Sequence, residues 1–426
     1  MVMTACSVRR TSGKLLLFAA LLAVTASCGK DYIAEPVYPR ALAFDDRDGR
    51  IKVREENPVS AELLDGMRRF ALASSARVLT AEKGNALYSP YSLYIALALA
   101  ASGAEGATRE EMMALLGGNG ADNSLPLAEE VGKLIRQLHA DNEVGRLKTA
   151  NSLWVQNGHT FRKEYGELAA GSFYASLHQG DFARKETADR MSEWVRKHTS
   201  GQISPEIQPD PEQIMALLNT LDFKDEWTDA FNESQTETGT FYPQEGSQAP
   251  AAFMNRTFFT VGYSKGEGYA SASLGLKHGG SMTFVLPDKG SSVDELAASL
   301  EKAGALLPAS GQPLRKLVLK VPKFEYSSGL ELAKTLQALG METAFTDRAD
   351  FGGMTDTAVY ISGVKQDTHI AIDEKGVEAA AFTQILMAGG AQPNGEPAEL
   401  ILDRPFLYSI TAPNGVILFA GICRQP

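Results

Sequence analysis

The residues whose types suit nucleophilic or metal chemistry do not assemble into a catalytic site. Gly262-Tyr263-Ser264-Lys265-Gly266 matches G-x-S-x-G, the turn that presents the serine nucleophile of α/β-hydrolases. That turn needs a strand before it and a helix after it. Residues 258–261 supply a strand pattern, but Gly266-Glu267-Gly268 follows and no helical period does. Histidines 139, 159, 178, 198, 278 and 369 are scattered without a pair at metal-ligand spacing, so no metal or cofactor is expected. Cys423 lies in the apolar run 416–423 and reads as a small buried hydrophobe. The chain is not expected to be an enzyme.

The informative stretch is GVEAAAFTQILMAGGAQPNGEPAEL, residues 376–400. It begins with small residues, ends in Gly, Asn and Pro, and lies between strand patterns at 368–373 and 407–410. A structureless connection of this length inside a compact domain usually has a function. Its first half has a second property. Val377, Ala379, Ala381, Thr383, Ile385 and Met387 are apolar or small at period two, while Glu378, Ala380, Phe382, Gln384 and Leu386 face the other way. The segment therefore suits two states, an exposed loop and a buried strand.

The elements around it mix helix and strand without a βαβ rhythm, which predicts an α+β fold. Helical spacing runs through 61–79, and Ser89-Pro90 opens a second helix reaching Ala101. Thr108 with Glu111 predicts a capping box for the next helix. Strands are expected at 85–88, 152–155, 314–324 and 416–422, and a helix at 329–339.

The N-terminus reads as a leader. Arg9, Arg10 and Lys14 precede a ten-residue apolar run at 15–24, too short to span a bilayer. Thr25-Ala26-Ser27-Cys28 then resembles a bacterial lipoprotein cleavage box, with Thr25 where leucine is usual. Residues 1–27 are expected to be a signal peptide, Cys28 the lipid-attachment site, 28–60 a flexible tether and 61–426 the folded domain. A bacterial envelope location follows, lipid-anchored at the outer membrane or surface, with plain secretion as the alternative. Removal of the leader leaves 38 basic against 52 acidic side chains, a net charge of −14. That surface argues against nucleic acid as partner. Cys423 is then the one thiol left, so no intramolecular disulfide forms.

Several motifs in fixed order carry a family resemblance. They are Asn85-Ala-Leu-Tyr-Ser89-Pro90-Tyr-Ser92, Gly103-Ala-Glu-Gly106-Ala-Thr108, and Trp194-Val195 with Thr199-Ser-Gly201-Gln-Ile203. Asn219, Phe223-Lys224, Trp227 and Phe231 come next, then Val321-Pro322-Lys323-Phe324, Leu339-Gly340-Met341 and Asp350-Phe351. Glu374-Lys-Gly376-Val-Glu378-Ala379-Ala380-Ala381 and Arg404-Pro405-Phe406 close the series. Across 61–426 the chain resembles the serpin superfamily. The resemblance implies three β-sheets surrounded by helices with an exposed reactive-centre loop. It implies suicide inhibition of endopeptidases, with a covalent 1:1 complex between a monomeric inhibitor and its target.

Residue roles carry over the same way. Glu374, Gly376, Val377, Glu378, Ala379, Ala380 and Ala381 match the hinge. Ser89, Pro90, Ser92 and Asn219 match the shutter, with Gln366 where the family commonly has histidine, and Trp227 matches the breach. Family spacing from Glu374 puts the reactive bond between Gly390 and Ala391. Counting back from Pro405 gives Asn394, and Leu386, Met387 and Gln392 are further alternatives. No Lys or Arg lies between Gly376 and Asp403. Trypsin-like targets need a basic residue before the cut, so elastase-like serine or papain-like cysteine proteases are expected. The alternative is a non-inhibitory, surface-binding lipoprotein of the same fold.

Overall fold

The computed structural model describes residues 32–34, 36–117, 124–244, 246–308, 314–377 and 397–426. Strand β1 (Tyr32–Ala34) and helix α1 (Arg47–Glu56) precede α2 (Ala61–Ala81), which starts where the Ser60 hydroxyl accepts the Leu63 N–H at 3.2 Å. Its stripe of Leu63, Met67 and Phe70 is buried. Strand β2 (Ala86–Tyr88) leads into α3 (Pro90–Ala101), capped by Ser89 with Pro90 in its first turn. Helix α3 lacks a polar face and is buried on nearly all sides, so it runs through the interior. Helices α4 (Gly106–Leu115) and α5 (Ser124–Leu138) follow.

The next strands are β3 (Ala140–Asp141), β4 (Arg146–Gln156), β5 (Ala175–Gly180) and β6 (Met215–Glu226), with α6 (Lys163–Ser172) and α7 (Lys185–His198) between them. Then come β7 (Glu237–Phe241), β8 (Ala249–Gly266), β9 (Tyr269–Gly275) and β10 (Ser281–Pro287). Short helices α8 (Val293–Ala298) and α9 (Leu300–Ala303) precede β11 (Leu314–Pro322) and β12 (Phe324–Glu331). The chain ends with α10 (Ala333–Ala338), β13 (Lys365–Ile372), β14 (Gly376–Val377), β15 (Ala398–Ile401), β16 (Phe406–Thr411) and β17 (Ile417–Cys423).

One sheet has the order β1-β5-β4-β6-β14-β13-β12, with β3 beside β4. The other runs β15-β11-β8-β9-β10-β16-β17-β2, with β7 beside β8. Strand β8 pairs β7 and β11 along its first part and β9 along its last, so this second assembly is two sheets sharing a strand. The three expected sheets are present. On β6, Met215, Leu217, Leu221 and Phe223 turn to the main core, while Ala216 and Leu218 pack under α7 with Trp154, Met191 and Trp194. That alternation fixes which face an added neighbouring strand would bury.

Several expectations need correction. The tether is not free chain. Tyr32 and Ala34 pair with His178 and Leu177 at the edge of the first sheet. Asp46 caps α1, and Asn57 accepts the Arg136 Nε–H at 2.5 Å. The helical period of α1 is hidden because none of its residues is buried. The capping box is absent: Thr108 accepts the Asp350 N–H at 2.9 Å, and Glu111 accepts the Glu342 and Thr343 N–H groups at 2.8 and 2.7 Å. Both side chains are drawn into tertiary bonds. Residues 329–331 belong to β12, because pairing with β13 overrides their helical pattern, and the helix spans only Ala333–Ala338. The G-x-S-x-G run ends β8 and turns directly into β9, so Ser264 is a ladder residue, paired with Ser271. No group of acidic, Cys or His side chains suited to a metal occurs among the described residues, and no described helix is long and apolar enough to cross a membrane.

The docked arm has a measurable signature. Amide exchange in residues 50–57 should be slowed at least about tenfold relative to an unstructured peptide. Random-coil exchange there would show the arm to be undocked.

Candidate functional site

The site is a break in the first sheet. Among the described residues, β6 and β13 do not pair with each other; β14 alone lies between them. Gly376 and Val377 pair with Glu226 and Asp225 on one side, and Val377 with Ile372 on the other. Beyond Val377, β6 continues for ten residues to Met215 and β13 for seven to Lys365. Between them lies a cleft of about 1100 Å³ lined by both strands and by Ser89 and Ser92 of the α3 start.

Hydrogen bonds hold the top. The Trp227 indole donates to Asp373 O at 2.9 Å and its backbone N–H to Lys375 O at 2.9 Å. The Asp373 carboxylate accepts the Lys375 and Gly376 N–H groups at 2.8 and 3.2 Å, which turns β13 into β14. Gly376 is required by proximity: a Cβ there would sit 2.3 Å from Asp225 O. Glu374 accepts from the Thr236 hydroxyl at 2.6 Å and from Lys323 Nζ at 2.9 Å. Burial pushes the Glu374 carboxyl up, but these donors outweigh it and leave its pKa below the usual carboxylate value. On the β6 side, the His278 ring meets Asp225 at 2.9 Å and Lys277 donates to Glu226 at 2.5 Å.

Lower down, a polar chain crosses the cleft. The Ser89 N–H donates to Gln366 Oε1 at 2.7 Å, and Gln366 Nε2 returns a bond to Ser89 O at 3.0 Å. The Ser89 hydroxyl donates to Leu418 O at 2.7 Å. Ser92 donates to Asn219 Oδ1, Asn219 Nδ2 to Asn151 Oδ1 at 2.7 Å, and Asn151 Nδ2 to Phe173 O at 2.6 Å. Helix α3 thereby ties β13 to β6 and β4 across the opening.

The structure brings Ser89, Pro90, Ser92, Asn219 and Gln366 together at the start of α3, and Trp227, Glu374, Gly376 and Val377 at the top of the cleft. Glu378, Ala379, Ala380, Ala381, Leu386, Met387, Gly390, Ala391, Gln392 and Asn394 lie outside the described residues, as does Cys28. Asn151, Asp373, Thr236 and Lys323 were missed. Asn151 left no clear signal, because its strand mixes Arg146, Lys148, Thr149 and Ser152 with apolar residues. Thr236 and Lys323 act through contacts remote in sequence, while the Asp373 carboxylate closes a local turn. Cys423 is buried and unpaired, and burial pushes its thiol pKa up, as an inert packing residue requires.

The pattern of Serpin (serine protease inhibitor) matches residues 65–426. The chain belongs to the serpin family. Serpin-ZXA of Oryza sativa subsp. japonica is 31% identical over 84% of this chain and 94% of its own length. The crystal structure of Serpin48, a highly specific serpin in the insect Tenebrio molitor, has a TM-score of 0.75 at 28% identity, covering 86% of this chain and 98% of that one. The thermophilic serpin tengpin in its native state has a TM-score of 0.77 at 24% identity over 92% and 98%, a likeness of fold. This serpin therefore belongs with protease inhibitors and not with enzymes.

The Glu374 carboxylate makes the top of the cleft acid-sensitive. Because its folded pKa lies below the unfolded value, its contribution is full above about pH 4.5 and is lost as pH falls through the folded value. Glu374→Gln should make the acid limb of the unfolding midpoint against pH shallower; an unchanged limb would refute this role.

Proposed function

We propose that this serpin inhibits endopeptidases by loop insertion, and that elastase-like serine proteases, then papain-like cysteine proteases, are its targets. The supporting observation is that, among the described residues, nothing pairs with the edge of β6 directly beyond Val377. Continuing the Val377–Asp225 register places Ala379, Ala381, Thr383, Ile385 and Met387 opposite Phe223, Leu221, Asn219, Leu217 and Met215. Apolar residues meet the core-facing side of β6, and the one hydroxyl falls at its one amide. Ten residues at ~3.3 Å each carry the insert roughly 33 Å along the sheet.

In this reading the protease attacks the loop as substrate, and its acyl-enzyme bond forms as the peptide bond breaks. The new strand then draws the attached protease along the sheet before water completes hydrolysis. The product is a covalent 1:1 complex of a monomeric inhibitor. The reactive bond lies within 386–394, with Gly390-Ala391 preferred, and the absence of basic residues in the loop favours apolar or small-residue pockets in the target.

We also propose that Cys28 is acylated and that the protein sits on a bacterial envelope. The plant relatives do not bear on this, so it rests on residues 9–28 alone. Incorporation of labelled palmitate that disappears in Cys28→Ser would support the anchor; label that persists would remove it.

Incubation with elastase-like, papain-like and trypsin-like enzymes tests the inhibitory reading. A denaturant-stable complex is expected with the first two groups. Val377→Arg places a charge where a buried strand must enter, and should convert trapping into simple cleavage. Stable complexes formed equally well by that variant would sink the insertion mechanism. Mass spectrometry of the released C-terminal peptide should place the cut within 386–394, and a cut elsewhere would refute that window.

A further inference from the structure

A basic pocket of this acidic protein lies where the N-terminal arm meets the body. Its lining takes Arg40, Arg50 and Arg54 from the arm and Arg136, Arg146 and Lys224 from the body. Its volume is about 70 Å³, well above the ~10–15 Å³ that one water needs. Asp225 is the one carboxylate on the lining, and it is engaged by the His278 ring at 2.9 Å and by the Glu226 N–H at 2.9 Å. Arg146 is paired with Asp222 at 3.1 Å.

The other five cations have no carboxylate partner among the described residues. Arg136 bonds only neutral oxygens, of Asn57 at 2.5 Å and Tyr174 at 3.1 Å. Arg50 donates to carbonyls and lies over the Phe44 ring at 5.3 Å. Arg40 and Arg54 are exposed. Burial pushes the pKa of His139, also on the lining, down, so it adds no charge at neutral pH. Leu138, Leu147, Phe223 and Leu418 form an apolar floor. A cleft with this excess of positive charge and low-dielectric walls concentrates the field on whatever anion enters.

We propose that this pocket binds a phosphoryl group, held by Arg40 and Arg54 from the arm together with Arg136 and Lys224 from the body. Guanidinium forks match the oxygens of a phosphate, and a doubly charged anion relieves the mutual repulsion of several cations better than chloride does. The bound group would bridge the arm to β6 beside Asp225, the residue that pairs with Val377. The source is either a soluble phosphate ester or a phosphomonoester lipid headgroup. The assignment does not depend on the inhibitory reading.

The test uses the full chain with Cys28→Ser, titrated with inorganic phosphate against chloride at matched ionic strength and followed by calorimetry and thermal midpoint. A saturable response to phosphate alone is expected. Arg40→Ala/Arg54→Ala should weaken it by about tenfold or more, since removing one charge-assisted hydrogen bond costs roughly a factor of ten. Both side chains are exposed, so the fold is kept, and the paired Arg→Lys variant should restore part of the affinity. Co-sedimentation with phosphatidylcholine vesicles with and without phosphatidic acid separates the sources. Arginine-dependent retention by phosphatidic acid assigns a lipid headgroup, and a response to inorganic phosphate alone assigns a soluble ligand. Phosphate acting no differently from chloride with no vesicle retention overturns the proposal, as does binding that survives the double alanine substitution.

Discussion

The wedge of Gly376 and Val377 between β6 and β13 is the constraint from which the rest of the architecture follows. Two residues complete a sheet whose flanking strands run on for seven and ten residues beyond them. The close approach of Gly376 to Asp225 O permits no side chain there, and Val377 seals the end with an apolar group 3% exposed. Trp227 and Asp373 then fix the turn from which the strand issues. Among the described residues nothing pairs with either edge below that point, a costly feature for backbone groups unless it is used.

The balance of magnitudes explains why such a state persists. Six hydrogen bonds make up the polar chain through Gln366, Ser89, Ser92, Asn219 and Asn151. At about 1 kcal/mol net each, they resist opening by only a few kcal/mol. A strand inserted along ten residues would form backbone bonds on both sides and bury its apolar face, a larger gain. The polar chain therefore acts on the barrier more than on the final balance. Its members must part together, because each is buried or, for Asn219, half-buried and leaves its neighbour unsatisfied if it moves alone.

Much of this was legible in the sequence where local physics and motif order agreed. Ser89-Pro90 announced α3, whereas the period-two pattern after Gly376 falls on residues outside the described ones. What stayed hidden depended on partners far along the chain. Thr108 and Glu111 have the spacing of a cap, yet remote backbone donors near Asp350 and Thr343 claim them. The arm looked like tether because α1 has no buried face; side-chain bonds from Asn57 and Asn142 help to hold it. Residues 329–331 read as helix until the β13 ladder is known.

Charge is distributed to serve the cleft. Ion pairs ring its top, with Glu374 on Lys323, Glu226 on Lys277 and Asp225 on His278. The core-facing side of the wall below is uncharged: Ser89, Ser92, Asn219, Gln366 and Thr368 supply its polar groups, while Lys365, Asp367 and His369 lie on the other face of β13. A strand sliding past neutral walls would lose the hydration of any charge it carried, at a cost of several kcal/mol. Residues 377–387 contain a single charge, Glu378, and the continued register sets it opposite Lys224 at the mouth. The segment and the wall follow the same rule on the core-facing side, where neither carries a charge. That correspondence is what the proposed insertion would require of the two surfaces.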